Sequence, residues 1–304
     1  MVTSMITIGL NIALILVLPF VMEGVIRRGK AFWGGRKGPR IIQPFYDVLR
    51  LLRKGEVVSK TATFVFRMAP TVSLAAIAAA ALLVPLAGNR AVISFNGDFI
   101  VFAYLLALSR FSIVMAGLDT GSSFEGMGCS REVIFAAFVE PGFFIMMAAF
   151  AYLVGAPSFA AIMAGLPETG GLWILNVLAA VGLLIMMLAE GSRVPVDDPA
   201  THLELTMIHE VMVLDHGGPA LGMIQYGAAI KLFVMGALLL RVTAPFEMAN
   251  AWADWGLFIA GMLGVAVVVG VVESMMARFR MVFVPTFLVA ACMLSAFGVI
   301  LLLR

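Results

Sequence analysis

The sequence predicts an all-α integral membrane protein with about eight transmembrane helices and cytoplasmic amphipathic helices. Three observations carry that prediction. Of 304 residues, 62% are hydrophobic and only 12% charged, with a mean hydropathy of +1.06, a balance foreign to a soluble domain. The apolar residues gather into eight runs, each near the roughly 20 residues that cross a hydrocarbon core about 30 Å thick. The basic residues gather on one side of those runs.

The runs fall at approximately 4–22, 70–88, 98–118, 132–155, 171–190, 220–241, 253–274 and 282–303. Pro70 and Pro285 sit near helix starts, where a missing amide hydrogen is harmless. The first run has no basic segment before it and no small-residue cleavage site after it, so it is expected to be a retained span rather than a cleaved signal. With the N-terminus outside, the inward side holds fifteen of the twenty Lys and Arg residues and the outward side only Arg90, Arg241 and Arg304. That asymmetry predicts both termini outside, in a single polytopic domain over 1–304. Residues 23–69 then form a basic cytoplasmic loop and 191–219 an acidic one. A net charge of +2 gives no reason to expect a nucleic-acid partner; the placement of charge is what stands out.

In the first loop, "QPFYDVLRLLRKG" puts Phe45, Val48, Leu49 and Leu52 on one helical face and Asp47, Arg50, Arg53 and Lys54 largely on the other. That suits an amphipathic helix at the membrane surface, with a solvated basic linker as the competing reading. In the second, "EGSRVPVDDPATHLELTMIHE" concentrates five carboxylates, an arginine and two histidines. A helix can start there with Asp198 as N-cap and Pro199 at its first position, and Gly217-Gly218 can end it.

Arg110, Glu140 and Lys231 fall well inside spans, and Glu132, Glu190 and Glu273 fall at or near inner ends. A charge at mid-helix costs about 2.5–3.5 kcal/mol on insertion scales, so something in the bundle must compensate it. Two readings stand side by side. One is a hydrated proton path drawn from Glu132, Glu140, Glu190, Asp197, Asp198, Glu204, Glu210, Lys231 and Arg110. The other is a set of structural ion pairs, such as Arg110 with Glu140 or Lys231 with a neighbouring acid. The concentration of ionisable groups toward one face favours the path.

His202 and His209 are seven apart, but no H-E-x-x-H or C-x-x-C accompanies them, so no metal site is expected. P-loop, dinucleotide and serine-triad signatures are absent from the sequence. Cys129 and Cys292 are too few for an iron–sulfur cluster, and no disulfide between them is expected.

"GRKGPRIIQPFYDVLRLLRK", "SREVIFAAFVEP" and "AEGSRVPVDDPATHLEL" resemble motifs of the membrane-anchor subunit family shared by NADH:quinone oxidoreductase (complex I) and membrane-bound NiFe hydrogenases. The matching positions are Gly38, Pro39, Gln43, Pro44 and Asp47; Glu132 and Glu140; and Glu190, Arg193, Pro195, Asp197, Pro199, Glu204 and Leu205. The form is more similar to the formate hydrogenlyase and energy-converting hydrogenase branch. Only "RII" separates Pro39 from Gln43, and Ala200 and His202 stand where the quinone-reducing branch tends to be acidic.

The resemblance implies a subunit without its own redox centre or bound cofactor. Its partners would be hydrogenase large and small subunits and iron–sulfur subunits, which carry the NiFe site and the clusters, together with antiporter-like membrane subunits. It implies docking through Arg36, Lys37, Gln43, Asp47, Arg193, His202 and His209, and proton coupling through the acids below, in a bacterial or archaeal cytoplasmic membrane. The departures imply that protein contacts fill the space a quinone chamber would occupy, with Asp197, Asp198 and Glu204 facing the docked arm or Arg193.

Overall fold

In hydrocarbon, backbone polar groups find no water, so each apolar run must satisfy its own N–H and C=O groups by coiling into a helix. The computed structural model describes residues 2–87, 91–166, 173–197, 207–244 and 250–302, with backbone alone at 2–6 and 251. Along the chain its helices are α1 (Val2–Trp33), α2 (Gln43–Leu52), α3 (Phe64–Leu83), α4 (Asp98–Asp119), α5 (Ser123–Val154), α6 (Phe159–Gly165), α7 (Trp173–Glu190), α8 (His209–Met212), α9 (Gly218–Thr243), α10 (Ala251–Met275) and α11 (Val284–Leu302). Eight of these, namely α1, α3, α4, α5, α7, α9, α10 and α11, are long and apolar enough to cross a membrane. The protein is a multi-pass, all-α membrane protein.

Helix α9 is the hub. It packs against α1, α2, α3, α7 and α10, and its stretch from Ala229 to Leu239 is buried throughout, so Lys231 lies in the interior. Around it α3 pairs with α4, and α5 with α11, while α1 runs beside α10. The amphipathic α2 lies across α9 and α1. Gly222 of α9 admits it closely, for a side chain there would press on Leu51. At its other end, any side chain at Gly24 of α1 would collide with the carbonyl of Ile41.

Several boundaries differ from those the apolar runs predict, each for a physical reason. Helix α1 continues from residue 22 to Trp33; no proline intervenes before Gly34-Gly35, where Gly35 adopts φ +64°, a conformation that suits glycine. Helix α5 begins at Ser123 rather than 132, because its polar first turns find partners: Glu125 accepts from the Asp215 amide, and Arg131 donates to the Met207 carbonyl. Helix α3 begins at Phe64 with Pro70 inside it, its first amides capped from α4 by Asp119, which accepts from Thr63 N at 2.6 Å and Phe66 N at 3.3 Å.

The helix expected to end at Gly217-Gly218 is, from residue 207 onward, only the single turn α8. Gly217 instead caps the start of α9, and Gly218, at φ +47°, passes so close to the Gly55 carbonyl that a side chain would clash. Asp198 and Pro199, its expected start, lie outside the described residues.

Candidate functional site

Near the middle of α4, Arg110 projects between helices, and its planar fork of donors meets three carboxylates. It pairs with Glu140 of α5 and Glu190 at the end of α7, and its Nε lies 3.4 Å from Glu132. Glu190 is shared: its other oxygen lies 3.3 Å from Lys231 Nζ on α9. Both pairings foreseen for Arg110 and Lys231 are present, joined into one cluster. The side chains of Arg110 and Glu190 are only 8% and 7% exposed, whereas that of Glu140 is 40% exposed, so the cluster reaches from the interior to the outer surface of the bundle. Buried charges persist only where such pairing is nearly complete.

A second network lies toward the basic end. Glu273 of α10, with a fully buried side chain, sits 2.8 Å from Lys30 and 3.4 Å from Arg193. Glu23 pairs with Arg27 at 2.7 Å and lies 3.9 Å from Arg193. Arg27 also reaches Asp47 of α2 at 3.3 Å, and Asp47 accepts from Gln43 at 2.9 Å. Asp47 is therefore turned toward α1, not outward with the basic face of α2, and Phe45 and Leu52 of the expected apolar face are exposed.

These charges form one wall of a cavity of about 470 Å³; Leu221, Ile224, Ala228 and Ala229 of α9 form the opposite, apolar wall. This chain by itself leaves the space open, where protein contacts were expected to fill it. His209 and Glu210 line the same cavity.

Asp197 is also corrected. It faces neither outward nor toward Arg193, being 2% exposed. It pairs with Arg278 at 2.9 Å and accepts from the amides of Ile208 at 3.3 Å and His209 at 3.0 Å. The loop after α7 folds inward, burying Val194 and Val196, and Phe279 N donates to the Pro195 carbonyl, which carries Asp197 to the α10–α11 connection. Arg193 is likewise buried among acids, so it offers no docking surface; of the docking candidates, Arg36 and Lys37 are exposed. Asp198, His202 and Glu204 lie outside the described residues.

Glu23, Arg27 and Lys30 were not among the site residues read from the sequence. Their spacing of four and three marks one face of a helix, a signal that depends on α1 continuing past residue 22. His216, just before α9, is 4% exposed and stacks on Phe66 with ring centroids 4.0 Å apart; burial pushes its pKa down to about 4, so it is neutral at ordinary pH.

Eight candidate spans, with ion pairs running from a cavity at the basic end to mid-helix, define a polytopic membrane protein organised around an internal charge network. The chain belongs to the NADH dehydrogenase family, whose model matches residues 6–304. It is 29% identical over 237 residues to hydrogenase-4 component C of Escherichia coli, covering 78% of this chain and 74% of that protein. It is 27% identical over 276 residues to formate hydrogenlyase subunit 4 of the same organism, covering 87% and 88%. Its fold matches a chain of the membrane-bound sulfane sulfur reductase, an archaeal respiratory membrane complex, with a TM-score of 0.83, 22% identity and 98% and 99% of the two chains covered.

Proposed function

We propose that this chain is the non-catalytic membrane-anchor and proton-coupling subunit of a formate hydrogenlyase-like or energy-converting NiFe hydrogenase complex. It docks a soluble hydrogenase arm, with its large, small and iron–sulfur subunits, to antiporter-like membrane subunits. The two hydrogenase-related proteins it resembles and the hydrogenase form of its motifs support the branch. The observation that carries the coupling role is Arg110 bridging Glu132, Glu140 and Glu190. Carboxylates that share one cation interact, so a proton taken by one alters the others. Glu140, reaching the bundle surface at mid-helix, would be costly against lipid alone and suits contact with a neighbouring membrane subunit. The basic end faces the cytoplasm in this reading, with both termini outside the cytoplasmic membrane of a bacterium or archaeon. The NiFe site and clusters belong to the partner subunits.

Purification of the complex through a tag on this chain, in mild detergent, tests the reading. Nickel and a hydrogenase large subunit should co-purify. An NADH-binding flavoprotein in their place would favour the second reading, the quinone-chamber subunit of complex I. The cavity of about 470 Å³ favours that alternative, since its volume lies within the ~300–1,000 Å³ of ligand pockets and its walls are charged on one side and apolar on the other. Saturable binding of a quinone analogue that substitution of Ile224 abolishes would support it.

A further inference from the structure

The proton-path reading leaves a gap between the charged cavity at the basic end and the cluster around Arg110, and the lining residues show what spans it. Two much smaller cavities, each about 20 Å³, flank Arg110 and Glu132. Each has room for about one water molecule. One reaches Lys231 and the paired hydroxyls of Ser73 and Ser109, which lie 2.7 Å apart; the other reaches Glu190, Ser192 and Asp197. Of the residues lining these three cavities, one titratable residue borders both the large cavity and a small one: His209. We infer that His209 is the relay that passes protons between the charged cavity and the intramembrane cluster. The inference rests on the proton-path reading and adds to it the group that connects the two charge networks.

Imidazole has the required chemistry. Neutral, it carries one N–H and one acceptor nitrogen. The acceptor takes a proton from a hydronium ion in the large cavity, leaving water and giving imidazolium. The other nitrogen then releases its proton to water in the small cavity beside Glu132, leaving neutral imidazole, and ring rotation or tautomer exchange resets the group. The backbone is held for this task. His209 N donates to Asp197 at 3.0 Å, and Asp197 is itself fixed by Arg278 at 2.9 Å. Asp197 is therefore a positioning residue for the turn whose His209 lines both spaces. Ser192 borders the large cavity and the other small one, but a hydroxyl cannot store a proton as imidazolium does.

The test uses the intact complex, purified through this chain and reconstituted in vesicles containing a pH-sensitive dye, with proton flux measured per electron of the complex's own redox reaction. His209→Ala should lower that flux about a hundredfold or more, the range for loss of a positioned acid–base group. Added imidazole should restore much of it, which a purely structural role would not allow. His209→Gln, which fills the space, should lose flux without rescue. Assembled His209→Ala complex with normal flux, or with lost flux that imidazole does not restore, overturns the relay. If the alanine variant fails to assemble, assembled His209→Gln complex decides, with normal flux overturning the relay and lost flux supporting it. Glu140→Gln separates the two levels of argument: normal flux in that variant rejects the path itself, whereas lost flux there with normal flux in His209→Ala rejects the relay alone.

Discussion

Removing Arg110 should damage the protein far more than removing its half-exposed partner Glu140. Glu132, Glu140 and Glu190 all converge on this guanidinium, and among the described residues only Glu190 has a second cation, Lys231 at 3.3 Å. In Arg110→Met the buried Glu190 keeps half its pairing, while Glu132 and Glu140 lose this partner. Breaking a buried pair from one side costs about 3–5 kcal/mol, a large share of the roughly 5–15 kcal/mol that holds a typical domain folded. At ~1.4 kcal/mol per tenfold, about 4 kcal/mol is a near-thousandfold change in the folded-to-unfolded ratio. Glu140→Gln alone, at a side chain 40% exposed, leaves Arg110 with Glu132 and Glu190 and should be mild. In the double variant Arg110→Met/Glu140→Gln one orphaned charge is gone and Lys231 keeps Glu190, so about 0.5–3 kcal/mol should return, the coupling expected of contacting residues. The assay is the amount of tagged chain in membranes together with the thermal midpoint of the detergent-solubilised complex. Wild-type level and midpoint in Arg110→Met, or no recovery in the double variant, would refute the reasoning.

Other expectations follow from single contacts. His216 has a folded pKa near 4 against about 6.5 in an unfolded chain. As pH falls from about 6.5 to about 4 the unfolded chain binds the proton first, so stability drops by up to about 3 kcal/mol across that window and is fully present above it. His216→Phe, which keeps the stack on Phe66, should flatten that dependence in thermal scans. Asp197→Asn weakens the tie to Arg278 and should raise amide hydrogen exchange at Ile208 and His209; unchanged protection there would argue against the anchor. Gly24→Val should destabilise the α1–α2 junction through contact with the Ile41 carbonyl, read as lower chain level in membranes. For orientation, a cysteine replacing Lys54 should resist an impermeant thiol reagent added outside sealed cells, and labelling from outside would invert the proposed topology.

How much of this was legible in the sequence depends on whether the deciding contact is local. The eight spans could be read because apolar length against bilayer thickness is a local property, and Arg110, Glu140 and Lys231 drew notice because a charge in an apolar run demands a partner. The continuation of α1 could not be read the same way. Glu23, Arg27 and Lys30 look like loop residues until Glu273 and Asp47, distant in sequence, appear beside them. The start of α5 was hidden similarly, since Arg131 is satisfied by a carbonyl 76 residues away. The direction of Asp197 was misjudged because nearness in sequence suggested Arg193, whereas the inward fold of Val194 and Val196 delivers it to Arg278. The cavity beside α9 left no local trace, because its walls come from α1, α8, α9, α10 and the loop after α7.

The central claim is that the carboxylates around Arg110 carry protons rather than merely balance its charge, and Glu140→Gln tests it most directly. The substitution keeps the shape of the side chain and leaves Arg110 paired with Glu132 and Glu190, so the complex should assemble normally. Acidification of inverted membrane vesicles, followed by a fluorescent pH probe while the complex turns over its own electron donor, should then fall to near background at an unchanged amount of assembled complex. Full acidification with assembled Glu140→Gln complex would contradict the account and leave the cluster as structural ion pairing.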